Sequence, residues 1–146
     1  MGSTSNTIAG IKALCLAEIG KYKVALESVN KTLALKKDAS LYNVRAYIYN
    51  KKGEFVKALD DCNKAIALDS SKPNPYKNKG LAYFGKAEYE KAIEQFNKAI
   101  AINPSYDLAY AGRGNTYLKM GKIDSATFDF KKACEYGNKE SCLKVK

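Results

Sequence analysis

Apolar and small residues recur three and four positions apart along this chain, in stretches a few helical turns long. Between Pro73 and Phe84 the stripe is Tyr76, Gly80 and Tyr83. After a short break it resumes as Tyr89, Ala92, Ile93, Phe96, Ala99 and Ile100. That rhythm gathers the apolar side chains on one face of an α-helix, whereas a strand would alternate. Asn103-Pro104 then ends the second stretch, because proline has no amide to donate and biases its predecessor away from helical angles. Two helices joined by a tight turn make a hairpin, and the hairpin repeats. The turn segment Gly20-Lys21-Tyr22-Lys23-Val24-Ala25 returns as Gly53 to Ala58, Ala87 to Ala92 and Gly121 to Ala126. Its final alanines, Ala25, Ala58, Ala92 and Ala126, are 33, 34 and 34 residues apart. Such a period predicts an all-α solenoid, a stack of four helix-turn-helix units in which each unit buries its face against the next.

Residue size suggests how the units mesh. Ala46, Gly80 and Gly114 occupy matching points of successive first helices, four residues after Tyr42, Tyr76 and Tyr110 and three before Tyr49, Tyr83 and Tyr117. In the second helices Ala58, Ala92 and Ala126 precede Cys62, Phe96 and Phe130 by four. Large residues beside small notches let neighbouring helices interlock at interior density.

The length of 146 residues suits one domain, and four hairpins use nearly all of it. Residues 1–5 are expected to be a disordered polar leader with neither the basic nor the apolar region of a secretory signal. The default expectation for location is the cytoplasm; a removed signal segment would make it secreted or periplasmic. No apolar run approaches the ~18 residues of a membrane span. The net charge is +10, yet only Arg45 and Arg113 of the 25 basic residues are arginine. The lysines are scattered beside acids, where a nucleic-acid surface would cluster its charge and use the arginine fork. A solvated lysine surface with some attraction for acidic partners is the reading; nucleic-acid binding ranks last.

The chemistry of an enzyme is missing. There is no histidine, the commonest general base near neutral pH, and no glycine-rich phosphate loop. Asp60-Asp61, the one adjacent carboxylate pair, reads as a solvated helix face. No catalytic residue, cofactor or metal site is expected; without histidine, two thiolates cannot complete a zinc tetrahedron. Cys15 and Cys62 read as small apolar core residues.

The order aromatic, Gly/Ala, Tyr, Gly, Tyr/Phe, Ala, Phe, Ala, Pro over 73–106, with the junction Ile102-Asn103-Pro104-Ser105-Tyr106-Asp107-Leu108-Ala109-Tyr110, resembles the tetratricopeptide repeat family. The likeness runs from about Asn6 to Glu140 and divides the chain into repeats 6–38, 39–72, 73–106 and 107–140, with a short cap over 138–146. The first copy diverges: Ala9 and Leu16 stand at tyrosine positions, Thr32 at an alanine, and one residue is missing near Lys37-Asp38. In this family the first helices line the concave face of a superhelix, which usually binds an extended or helical peptide. Carried over, that implies a groove of Asn43, Tyr47, Asn50 and Lys51 in the second copy, Lys77, Leu81 and Phe84 in the third, and Asn115, Leu118 and Lys119 in the fourth. Thr7, Gly10, Leu14 and Ala17 would add to it from the first copy. Amides can hold an extended backbone, the apolar residues offer an anchor site and the lysines favour negative charge, so the implied ligand is acidic with an apolar anchor.

Family members that grip chaperone tails do so through lysine, asparagine and arginine at set places. Here those places hold Gly10, Leu14, Val44, Asn74 and Asn78, or Asn43, Tyr47, Asn78, Leu108 and Gly112, so that ligand is not expected. The run from Ala133 to Cys142 resembles Sel1-like repeats, which staple adjacent helices through two cysteines. That implies a Cys134–Cys142 disulfide; two separate buried thiols are the alternative. The other partner expectation comes from the first helix, where Ile8, Ile11, Leu14, Cys15 and Ile19 are unusually apolar for the free end of a stack. Either an upstream repeat covers residues 8–19 or a second copy does, giving a homo-oligomer. At the other end, Leu143 and Val145 are expected to cover Phe128 or Phe130.

Overall fold

The computed structural model describes residues 2–146, with side chains from Thr4 onward. Among the described residues there are nine α-helices and no strand. They form two compact units, residues 2–70 and 71–146.

The first unit holds α1 (Gly2–Glu18), α2 (Tyr22–Leu35), α3 (Ala39–Lys52) and α4 (Phe55–Leu68). Helices α1 and α2 form one hairpin, α3 and α4 the next, and α3 packs on both α1 and α2. Its core is Ala13, Ala17, Ala25, Val29, Leu41, Val44 and Ile48. Residues 2–5, set apart as a leader in the sequence reading, belong to α1; Met1 lies outside the described residues. Asp38 starts α3 as its N-cap: the carboxylate accepts the Leu41 amide at 3.0 Å and the Asn6 side-chain amide at 2.9 Å, so one residue caps a helix and ties it to α1.

The second unit holds α5 (Pro73–Gly85), α6 (Tyr89–Ile102), α7 (Asp107–Lys119), α8 (Ile123–Glu135) and the short α9 (Lys139–Lys144). Hairpins α5–α6 and α7–α8 stack through α6 against α7 and α5 against α7, and α9 lies on α8. Phe96 is fully buried between glycine notches. A Cβ built at Gly80 would come within 2.8 Å of its ring, and one at Gly112 within 2.6 Å. Phe130 meets Gly114 in the same way, at 2.9 Å. Gly112, read from sequence only as a place where a clamp residue is missing, is thus one wall of the Phe96 slot.

Each hairpin turn needs one residue with positive φ. Gly53 supplies it at 78°, while Ala87 does so at 60° without the freedom of glycine. The structure joins Cys134 and Cys142 by a disulfide, their α-carbons 4.7 Å apart and within the reach of a bridge. Asn138, just before α9, accepts the Ser141 amide at 2.9 Å and donates to Asp107 at 3.3 Å.

Three details depart from the sequence reading. Cys15 is exposed, because α1 turns Ala13 and Ala17 to the core and a residue two places away faces outward; Cys62 is buried as expected. Asp61 is buried in step with Ala58 and Ala65, and only Asp60 is on the solvated face. Leu143 and Phe128 are both exposed, and Phe130 is approached by Lys144, whose ammonium lies 4.8 Å from the ring centroid.

Candidate interaction surfaces

In the first unit, α3 turns Leu41, Val44 and Ile48 into the core, which brings Asn43, Tyr47 and Asn50 toward the other side of the helix. Tyr47 is half-buried against that core, and its hydroxyl donates to Glu18 Oε1 at the end of α1. Lys51 approaches the same carboxylate at 3.9 Å and lies 5.5 Å from the Tyr47 ring centroid. Burial, then the bond to Glu18, hold the Tyr47 phenol above its ordinary range, so it stays a neutral donor. Gly10 and Ala17, expected on this surface, are buried, and Leu14 is half-buried.

In the second unit the side-by-side packing of α5 and α7 brings two sets of expected residues onto neighbouring helices. Leu81 and Phe84 pack partly buried on the cluster of Ala92, Phe96, Ala99, Tyr106 and Ala109. The Phe84 ring lies 5.8 Å from that of Tyr89. Leu118 is 48% exposed and Lys119 is exposed. Asn115 accepts a hydrogen bond from Lys144 at 2.9 Å, so the end of α9 reaches the α7 surface. Lys77, expected to add positive charge to the groove, is only 8% exposed, and Asn78, at one of the chaperone-tail places, is buried.

Sequence reasoning missed two ion-paired forks. Arg45 donates Nε and Nη2 to Asp61, both at 2.7 Å, and Nη1 to Asn30 at 2.9 Å. Arg113 repeats this with Asp129 at 2.8 and 2.7 Å and with Asn97 at 2.7 Å. Both carboxylates are 1% exposed, and the bond to the carboxylate is the main reason each guanidinium binds its proton more tightly than usual. The signal was available: arginine followed sixteen residues on by aspartate, in the second and fourth copies. In the third copy Lys79 and Gln95 stand there, and the buried Gln95 Oε1 has no hydrogen-bond partner among the described residues. Among the described residues no group of acids and cysteines is placed to hold a metal ion, and no helix is long and apolar enough to cross a membrane.

Hairpins of this length, meshed through aromatic rings and glycine or alanine notches, agree with the comparisons. Models of the tetratricopeptide repeat match residues 39–72 and 108–136, and a TPR repeat model matches 86–121. The chain belongs to the tetratricopeptide repeat family. Among solved structures, this TPR chain is similar to MamA at 32% identity and a TM-score of 0.70, with 90% of this chain and 80% of that one covered. It is similar to the first TPR of Spaghetti (RPAP3) bound to the HSP90 peptide SRMEEVD, at 28% identity and a TM-score of 0.67, covering 73% and 86%. The fold of TTC0263, a thermophilic TPR protein in Thermus thermophilus, matches at a TM-score of 0.82 and 22% identity, covering 91% and 75%. Among curated protein sequences, none matches. TPR proteins are generally non-catalytic modules that bind proteins or peptides.

Proposed function

We propose that this TPR chain binds an extended or helical protein segment on its first-helix surfaces, and that the segment carries an apolar anchor and negative charge. One observation supports the reading: α5 and α7 pack side by side, α5 carrying the half-buried Leu81 and Phe84 and α7 the half-buried Asn115 and the exposed Leu118 and Lys119. An apolar strip bordered by an amide and an ammonium suits an anchor residue flanked by carboxylates. Asn43, Tyr47, Asn50 and Lys51 offer the same mixture in the first unit, with Tyr47 and Lys51 held by Glu18. The peptide SRMEEVD on the Spaghetti TPR carries two glutamates and one aspartate, which supports an acidic ligand for a related surface.

The test is selection of random peptides by display on the wild-type chain. Affinities are then measured with Leu118→Ser/Lys119→Glu, whose side chains are exposed and whose fold is therefore kept. Enriched peptides should be acidic with one large apolar residue, and the variant should bind them about tenfold more weakly. No enrichment, or equal binding by the variant, contradicts the proposal.

A second reading, self-association through α1, is supported by the exposure of Ile8, Ile11, Cys15 and Ile19 along one stripe. Sedimentation at rising concentration should then show a dimer that Ile11→Lys abolishes. A strict monomer at high concentration removes this reading.

A further inference from the structure

Equivalent positions of three hairpins differ at one place on the α7–α8 side. In the second hairpin Lys57 extends from α4 over Tyr49, 5.5 Å from the ring centroid, and pairs with Glu54 at 3.6 Å. In the third, Lys91 extends from α6 over Tyr83 at 5.6 Å and pairs with Glu88. In the fourth hairpin the tyrosine is kept as Tyr117, but the lysine is Ser125 and the glutamate is Lys122. Arg113 lies 6.0 Å from that ring, as Arg45 lies 5.9 Å from Tyr49 in the second hairpin, so over the ring only the lysine is missing. A second change gives the gap an aromatic wall. Phe128, 56% exposed, stands where the other copies carry Asp60 and Glu94. The result is a cleft of about 380 Å³ lined by Arg113, Tyr117, Asp124, Ser125, Phe128 and Asp129.

The charges in the cleft are unevenly matched. Arg113 is held by both oxygens of Asp129 and by Asn97, so it has little left to offer a ligand. Lys132 lies 5.9 Å from the Phe128 ring but is held by Glu135 at 3.2 Å. Asp124 is exposed in the first turn of α8, with no side-chain partner among the described residues. The six lining residues therefore carry one excess negative charge, with Lys122 outside the lining, beside two rings that Arg113 and Lys132 each approach only at about 6 Å, on a chain that is strongly basic elsewhere. Aromatic faces attract cations through the ring quadrupole, and a nearby carboxylate adds to that attraction.

We propose that this cleft takes a lysine or arginine side chain from a protein partner, in the place that Lys57 and Lys91 fill within their own hairpins. Arg113 and Tyr117 leave α7 on the side away from Asn115 and Leu118, given the 100° between successive residues. The cleft is thus separate from the first-helix surface and does not rest on the reading given for it.

The ring resonances of Tyr117 and Phe128 report binding directly. They should shift saturably on titration with the blocked tripeptides Gly-Arg-Gly and Gly-Lys-Gly, and not with Gly-norleucine-Gly. Ser125→Lys puts the missing lysine back and keeps the fold, since Lys57 and Lys91 already sit that way; it should weaken the response about fivefold or more. No shift with the basic tripeptides, an equal shift with norleucine, or undiminished binding by Ser125→Lys overturns the assignment.

Discussion

Replacing Phe96 with alanine is expected to destabilise the second unit by about 3–5 kcal/mol, the usual cost of emptying a buried aromatic site. The ring is fully buried, and it lies against Gly80 of α5 and Gly112 of α7 so closely that a Cβ at either place would overlap it. Glycine has no side chain with which to fill the vacated slot, so the walls must move or a void must remain. Loss of the ring also removes the wedge between α5 and α7, the two helices that carry Leu81, Phe84 and Leu118. In a chain of this size the change should lower the melting temperature by about 10 °C or more. Phe96→Leu keeps more of the volume and should cost less. A melting temperature unchanged by Phe96→Ala would mean that the ring does not hold the hairpins together.

The second large effect is expected at the Arg113–Asp129 fork. Arg113→Met leaves a carboxylate that is 1% exposed without its cation, at a cost of about 3–5 kcal/mol. Most of that cost is the burial of an unpaired charge. Arg113→Met with Asp129→Leu should therefore be far more stable than the single variant, since a packed apolar pair can replace a buried ion pair with little loss. Urea unfolding of the two variants decides the matter. A double variant no more stable than the single one would show that packing of the arginine stem, and not its charge, is what α7 and α8 need.

The hairpins were legible because their signals are local. The three-and-four spacing around Phe96, the turns at Gly53 and Gly121, and the stop at Asn103-Pro104 each lie within a few residues of the structure they set. The forks were not read, because Arg45 and Asp61 sit on different helices and Asp61 resembles its solvated neighbour Asp60 until its face is fixed by Ala58 and Ala65. Cys15 was assigned to the core in the divergent first copy, where the small residues that set the register are Ala13 and Ala17. The surface residues were only partly legible. The repeat sets Leu118 at the position of Phe84, but how far Lys77 is covered depends on its neighbours in three dimensions. The α7–α8 cleft was missed for a different reason: it arises from a residue the fourth copy lacks, which shows only when Ser125 is set against Lys57 and Lys91.

The functional reading stands on binding at the first helices of a unit, α5 and α7 in the second or α3 in the first. Backbone amide shifts of the labelled chain, followed as a display-selected peptide is added, test it most directly. The account predicts that the largest changes fall on α5 and α7 around Leu81, Phe84, Asn115 and Leu118, or on α3 around Asn43 and Tyr47. Changes confined to the outer faces of α4, α6 and α8, with those residues undisturbed, would contradict it.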